Sequence, residues 1–232
     1  MDKLPTGSRI MDKFLQGGYD TDTITTIYGP AGSGKTILCM LCSLNLARHG
    51  KKVIYIDTEG SFSVERLKQI APDYLKILDN LVFLKPTSFE EQKKAFDQLR
   101  RLVNDKIGLI IVDTIGMLYR LELGKSEEVY EVNRELGRQI SYLSEISRKK
   151  NIPVLVTNQV YADFENPNNI KMVGGDILKY GSKTLIELQN LSSGNKRCIL
   201  KKHRSLPVDR DFWFQIVHGG IIGVKKPRLG LF

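Results

Sequence analysis

Residues 29–36 read Gly29-Pro30-Ala31-Gly32-Ser33-Gly34-Lys35-Thr36, the spacing G-x-x-x-x-G-K-[ST]. Glycines let such a segment wrap closely around an anion with its backbone N–H groups pointing inward. Lys35 then brings a cation to the β and γ oxygens of a nucleotide, and Thr36 offers a hydroxyl to Mg²⁺. The string has this meaning only between a strand and a helix. Thr25-Thr26-Ile27-Tyr28 enters it as a strand and Ile37 to Leu46 leaves it as a helix, whose positive end is aimed at the same anion. A nucleoside triphosphate is the expected ligand.

The rest of the chain must supply a fold around that loop. Val53 to Ile56, Leu81 to Leu84, Leu109 to Val112 and Val154 to Val156 are apolar runs without polar alternation, as expected of strands covered on both faces. Helical patterns separate them. Val129, Val132, Leu136, Ile140 and Leu143 recur at three- and four-residue steps on one long helix, and Phe89, Ala95, Phe96, Leu99 and Leu102 mark a less regular one. Alternation of this kind predicts an α/β fold, a mostly parallel sheet with helices on both faces. After residue 184 the spacing tightens, in Thr184–Leu188, Arg197–Leu200 and Phe212–Ile216, which predicts an antiparallel C-terminal extension of that sheet.

No linker, repeat or low-complexity tract divides the 232 residues, so one domain over 1–232 is expected. The longest apolar runs fall far short of the roughly 18 residues of a membrane span, and Met1-Asp2-Lys3-Leu4-Pro5 has the features of neither a secretory signal nor an organellar presequence; a cytoplasmic location follows by default. Of three cysteines, Cys39 and Cys42 share one helix face, where small buried thiols are common. The net charge of +9 is concentrated late, in Lys196-Arg197, Lys201-Lys202-His203-Arg204 and Lys225-Lys226-Pro227-Arg228, while the helical region around 122–135 is rich in Glu. That charge fits a polyanion partner or a solvated basic face equally well.

Hydrolysis needs a carboxylate for the metal's water shell and a polar group to orient the attacking water. Leu109-Ile110-Ile111-Val112-Asp113 ends a strand in an acid at the sheet edge where open α/β folds bind ligands, making Asp113 the metal candidate beside Thr36. Val53-Ile54-Tyr55-Ile56-Asp57-Thr58-Glu59-Gly60 ends another strand at that edge. Glu59, just past the strand end, is the base candidate, whereas Asp57 is placed to hydrogen-bond nearby backbone. Thr157-Asn158-Gln159 brings an amide to the same edge, where Gln159 either reads a γ-phosphate oxygen or caps its loop.

These pieces together resemble the ATPase core of the RecA/RadA recombinase family. The resemblance is carried by Leu4-Pro5-Thr6-Gly7-Ser8, Leu15-Gln16-Gly17-Gly18-Tyr19, Ile24 to Gly29, Tyr55 to Phe62 with Glu65-Arg66-Leu67, and Val156 to Val160. It covers nearly the whole chain and is nearest to the archaeal RadA paralogues, which lack RadA's N-terminal helical domain and its polymerisation segment. It implies ATP and Mg²⁺ as cofactors, with Gly29 to Thr36 on phosphate, Asp113 as the Walker B acid, Glu59 polarising the water, Gln159 sensing the γ-phosphate and Arg66 stacking on adenine. It further implies a DNA repair and recombination accessory protein that binds single-stranded or branched DNA, assists a RadA-type recombinase, pairs with further copies of itself and hydrolyses ATP slowly; the alternatives are a filament-forming strand-exchange ATPase and a RecA-fold regulator with protein partners.

By the same resemblance, the loops at Tyr119 to Lys125 and Tyr161 to Val173, the second closed by Gly174-Gly175, meet DNA. Arg120, Lys125, Tyr161 and Lys171, with Tyr119 and Phe164, mix aromatics and cations as strand-binding grooves do, although Asp163 and Glu165 dilute the charge. One segment departs from the family. Where its members carry an Asp-x-Pro that caps a neighbour's ATP, this chain reads Lys201-Lys202-His203-Arg204-Ser205-Leu206-Pro207. Lys201, Lys202, His203 and Arg204 are expected either to contact DNA phosphates on the face of the two loops, with His203 adding charge below about pH 6.5, or to reach into a neighbour's nucleotide site.

Overall fold

The computed structural model describes residues 2–124, 129–162 and 170–226, with Ala162 and Ile170 defined in their backbone only. The elements run β1 (Lys3–Leu4), α1 (Arg9–Leu15), β2 (Tyr19–Asp20), β3 (Ile24–Tyr28), α2 (Lys35–Arg48), β4 (Lys52–Asp57), α3 (Val64–Ile70), β5 (Leu81–Leu84), α4 (Phe89–Leu102), β6 (Ile107–Asp113), α5 (Gly116–Leu123) and α6 (Val129–Lys150). They continue with β7 (Val154–Asn158), β8 (Val160–Ala162), β9 (Ile170–Met172), α7 (Gly175–Gly181), β10 (Thr184–Asn190), β11 (Lys196–Lys202), β12 (Asp211–Val217) and β13 (Gly220–Val224). Nine strands form one sheet in the order β13-β12-β11-β10-β3-β7-β6-β4-β5. From β10 to β5 every pairing is parallel; from β10 to β13 every pairing is antiparallel. The mixed α/β fold read from the sequence is the one present, and β13, too glycine-rich to announce itself, completes the extension.

The apolar runs are explained by two cores, one on each side of the sheet. Val53 and Tyr55 of β4, Leu109 and Ile111 of β6 and Leu155 of β7 face the side covered by α1, α2 and α3. Ile54 and Ile56, Ile110 and Val112, and Val154 and Val156 face the side covered by α4, α5, α6 and α7. Alternate residues thus enter different cores, so the middle of these strands is apolar on both faces and polar residues come only at their ends. In α6, Val132, Leu136, Ile140 and Leu143 are buried as their spacing predicts, but Val129 is 47% exposed, because the helix begins there and overhangs the core. Cys39, Cys42 and Cys198 are all buried in the first core, where burial pushes their thiols up. No helix among the described residues is long and apolar enough to cross a membrane.

Topology corrects the expected position of the late basic cluster. Lys202 pairs with Leu185 at the start of β10, and β10 runs parallel to β3, so residues 201–204 lie at the edge of the sheet opposite the one where β3, β4, β6 and β7 end. The cluster is engaged within the chain. Arg204 makes a bidentate pair with Asp22 and a further bond to Asp20 Oδ2 at 3.1 Å, Lys201 pairs with Asp209 at 2.7 Å, and Lys202 Nζ donates to the carbonyls of Lys179 and Ser182, both at 2.7 Å. His203 is 2% exposed in its side chain. Its Nδ1 accepts the N–H groups of Ser205 and Leu206, which places the proton on Nε2, 3.5 Å from Asp20 Oδ2. Arg204, in the turn after β11, therefore braces β2, while Lys202 fastens the end of α7 to β11.

Burial holds the His203 pKa below its ordinary value; the attraction of Asp20 opposes this, and Lys3, Arg204 and Arg210 add to it. The folded chain thus refuses a proton that the unfolded chain accepts below about pH 6.5, so stability falls as pH drops through that value. A melting-temperature series from pH 7.5 to 5.5 is expected to show a smaller decline for His203→Gln than for the wild type; an equal decline would place the responsible groups elsewhere.

Candidate functional site

Four parallel strands end at one edge, and the chemistry sits at their C-terminal ends and in the loops that leave them. After β3 the backbone turns through Gly32 at φ +69° and Gly34 at φ +103°, conformations that favour glycine, and enters α2 at Lys35. A Cβ on Gly34 would stand 3.3 Å from Ile216 Cδ1, so β12 packs directly on the loop, whereas a Cβ on Gly32 would meet nothing within 4 Å. The loop is tight on its sheet side and open on the other. The N–H groups of the first turn of α2 have no intrahelical acceptor and point into this opening with the positive end of the helix dipole. Ser33 Oγ is buried there without a partner among the described residues.

Lys35 is buried, 7% exposed, and Nζ donates to the carbonyls of Gly29 and Pro30, both at 2.9 Å. Among the described residues no carboxylate pairs with it directly. Burial pulls its pKa down, and the charges of Glu59 and Asp113 push it back up. A buried ammonium held only by carbonyl dipoles, beside a helix N-terminus, is matched to an anion. The donor set fits a polyphosphate.

Asp113, fully buried at the end of β6, accepts three hydroxyls. Tyr55 Oη donates to Oδ2 at 2.7 Å, Ser61 Oγ donates to Oδ2 at 3.3 Å, and Thr157 Oγ1 donates to Oδ1. Thr36 Oγ1 lies 3.3 Å from Ser61 Oγ, which connects the phosphate loop to Asp113 through one hydroxyl. Burial and the charge of Asp113 push the Tyr55 phenol well above its ordinary range, so it stays a donor. Asp57 does what its position in the strand suggests: its two oxygens accept the N–H groups of Ser61 at 3.0 Å and Phe62 at 3.3 Å. That pins the segment carrying Glu59 and Ser61. Among the described residues no group of three His, Cys, Asp or Glu converges on a cation position. One carboxylate, two hydroxyls and an adjoining phosphate site match Mg²⁺, which keeps much of its water shell and shares it with substrate phosphates.

Glu59 and Gln159 meet. Gln159 Nε2 donates to Glu59 Oε1 at 2.7 Å, and Thr114 Oγ1 donates to the same oxygen at 2.8 Å, so Oε2 has no partner among the described residues. Thr58 and Thr114 lock onto each other through Thr58 Oγ1, which donates to Thr114 O at 2.6 Å and accepts Thr114 N–H at 3.0 Å. Arg66 follows the N-cap Ser63 of α3, and its guanidinium is committed at one end to Val217 O at 2.5 Å and Gly220 O at 3.4 Å and at the other to Gln69 Oε1 at 2.7 Å. It forms a wall between α3 and the β12–β13 hairpin beside the phosphate loop.

The segment expected as a loop at 119–125 is helix α5 through Leu123, and Tyr119 is buried with its hydroxyl on Asn133, because this stretch packs between α4 and α6. Arg120 is exposed on that helix and, with Tyr161, lines a cleft of about 640 Å³ bounded by Val173 and Gly174. Tyr161 pairs in register with Lys171 in the β8–β9 hairpin, and Gln159 O accepts Val173 N–H at its base. Lys125 and Phe164 lie outside the described residues.

Sequence reasoning misses Tyr55, Ser61, Thr114 and Thr157, hydroxyls whose role appears only when four strand ends are side by side. The one local signal is Asp57 four residues before Ser61, at a spacing a carboxylate can bridge to backbone N–H groups.

The family model Rad51 matches residues 1–224. The DNA repair and recombination protein RadB of Methanobrevibacter smithii is 42% identical over 227 residues, covering 95% of each chain. Its namesake in Methanococcus maripaludis is 42% identical over 219 residues, covering 94% of this chain and 99% of that protein. A crystal structure of the RadB recombinase superposes with a TM-score of 0.81 at 35% identity, over 96% of this chain and all of that one. With sequence and fold both alike over nearly its full length, the chain belongs to the Rad51 family.

Proposed function

We propose that the chain is an ATP-binding DNA repair and recombination accessory protein that binds DNA, assists a RadA-type recombinase and hydrolyses ATP slowly, as one cytoplasmic ATPase domain. The observation that carries this reading is the convergence of Lys35, Thr36, Asp113 and Glu59 at one sheet edge, with Gln159 joining Glu59 to the base of the hairpin that bears Tyr161 and Lys171. ATP with its cation would supply the phosphoryl group and neutralise its developing charge. Lys35 would exchange two carbonyls for phosphate oxygens, Thr36 and Asp113 would hold the cation's shell, and Glu59 would take the proton of the attacking water on Oε2.

Two features favour slow turnover by an accessory protein. Glu59 is already held on Oε1 by Thr114 and Gln159, which restricts its swing toward an attacking water. The segment that in the family caps a neighbour's ATP is here tied to Asp20 and Asp22 of its own chain. DNA contact is assigned first to Arg120, Tyr161 and Lys171 around the cleft; Lys201, whose partner Asp209 is exposed, can exchange that acid for a phosphate from the opposite edge.

Lys35→Ala is expected to abolish Mg-ATP binding, measured by titration with a fluorescent ATP analogue; equal affinity in a folded mutant would remove the phosphate-site reading. Glu59→Gln should leave binding intact and slow hydrolysis by about a hundredfold, the lower end of a general base's contribution. A mutant as fast as wild type would make Glu59 structural. Tyr161→Ala should weaken single-stranded DNA binding by about 1 kcal/mol or more through lost stacking, at one stated salt concentration. Regular filaments on DNA that turn over ATP in step with their length would instead identify a strand-exchange ATPase.

A further inference from the structure

The loop after β4 brings a second hydroxyl to the pair assigned to the cation. Ser61 Oγ lies 3.3 Å from Thr36 Oγ1 and 3.3 Å from Asp113 Oδ2, bridging the two. Ligands of Mg²⁺ sit close together around a small ion, at about 2.1 Å from it, so a cation held by Thr36 and Asp113 would have Ser61 Oγ within its reach. The loop is held in place from several sides. The N–H groups of Ser61 and Phe62 are accepted by the two oxygens of Asp57, which is 2% exposed, and the Phe62 ring packs edge-on against Tyr55 with centroids 5.0 Å apart. Tyr55 in turn donates to Asp113. The loop is fastened by its backbone to Asp57, by its ring to Tyr55 and by its hydroxyl to Asp113.

We propose that Ser61 is a third protein group of the divalent-cation site, alongside Thr36 and Asp113, with Asp57 as its positioning residue. The proposal rests on the phosphate-site reading. Without Ser61, Asp113 keeps Tyr55 and Thr157 but loses the hydroxyl that links it to Thr36, so cation affinity falls while the phosphate loop, Lys35 and the wall at Arg66 are untouched. The same serine ties the cation to the segment bearing Glu59, two residues earlier in the chain.

The test is a Mg²⁺ titration of fluorescent ATP analogue binding by wild type, Ser61→Ala, Ser61→Thr and Asp57→Asn, with binding in EDTA as the metal-free reference. Ser61→Ala should need about tenfold more Mg²⁺ for half-maximal enhancement, at the least what loss of a supporting group of a metal site costs, with EDTA affinity unchanged. Ser61→Thr, which keeps the hydroxyl, should restore the wild-type midpoint, and Asp57→Asn should shift it in the direction of Ser61→Ala. An unchanged midpoint in a folded Ser61→Ala protein overturns the role of Ser61 alone. Loss of affinity in EDTA as well shows a loop defect and overturns it too, whereas a wild type that binds no nucleotide under either condition overturns the phosphate-site reading beneath it.

Discussion

Two buried carboxylates stand side by side where β4 and β6 end. Asp57 and Asp113 are opposite one another in the parallel register of β4 and β6, at 2% and 0% exposure. Charges so placed are tolerated only if every lone pair facing the protein is met by a donor. Asp113 draws in hydroxyls from β4, β7 and the loop after β4, and Asp57 draws in two backbone N–H groups. Much of the architecture at this edge follows from that demand. The loop after β4 must fold back, β7 must present Thr157, and Tyr55 must occupy a position that its core would otherwise give to an aliphatic residue.

The same demand separates the two acids by function. Asp57 has both oxygens engaged by backbone N–H groups, which fix the loop, whereas Asp113 is held by hydroxyls, which can turn to donate elsewhere when a cation arrives. Glu59, beyond the strand end, is fixed on one oxygen and open on the other. Three carboxylates at two neighbouring strand ends thus have three environments, a division of labour produced by place and not by residue type.

Much of this is legible in the sequence. The glycine-rich loop between β3 and α2, the apolar strand that ends in Asp113, the parallel sheet and its antiparallel extension are readable because each is a local pattern: a fixed string, an apolar run ending in an acid, a change of spacing. Asp57 as a backbone acceptor follows from its register. The features that escape such reading depend on distance. That Lys201 to Arg204 belong to the far edge is a matter of strand direction in β10 and β11, and that their charges are answered by Asp20, Asp22 and Asp209 is set by contacts up to 184 residues apart. The helix at Gly116–Leu123 reads as a loop because its only strong apolar face, Leu118 and Tyr119, is short and turned toward a neighbour invisible in the string.

The wall beside the phosphate loop has a consequence for how the chain acquires its site. Arg66 reaches Val217 and Gly220, and Gly34 rests against Ile216, so a pocket whose phosphate loop is complete by residue 36 is closed by a hairpin that lies 151 and 154 residues beyond Arg66. Chain emerging from synthesis carries the loop long before its wall exists, and long loops must close before these contacts repay their entropy. The α1–α2 side of the sheet must therefore wait, with Phe212, Phe214, Ile216 and Ile221 as its last pieces. The wall at Arg66 is a property of the folded whole, complete only when the last hairpin has docked.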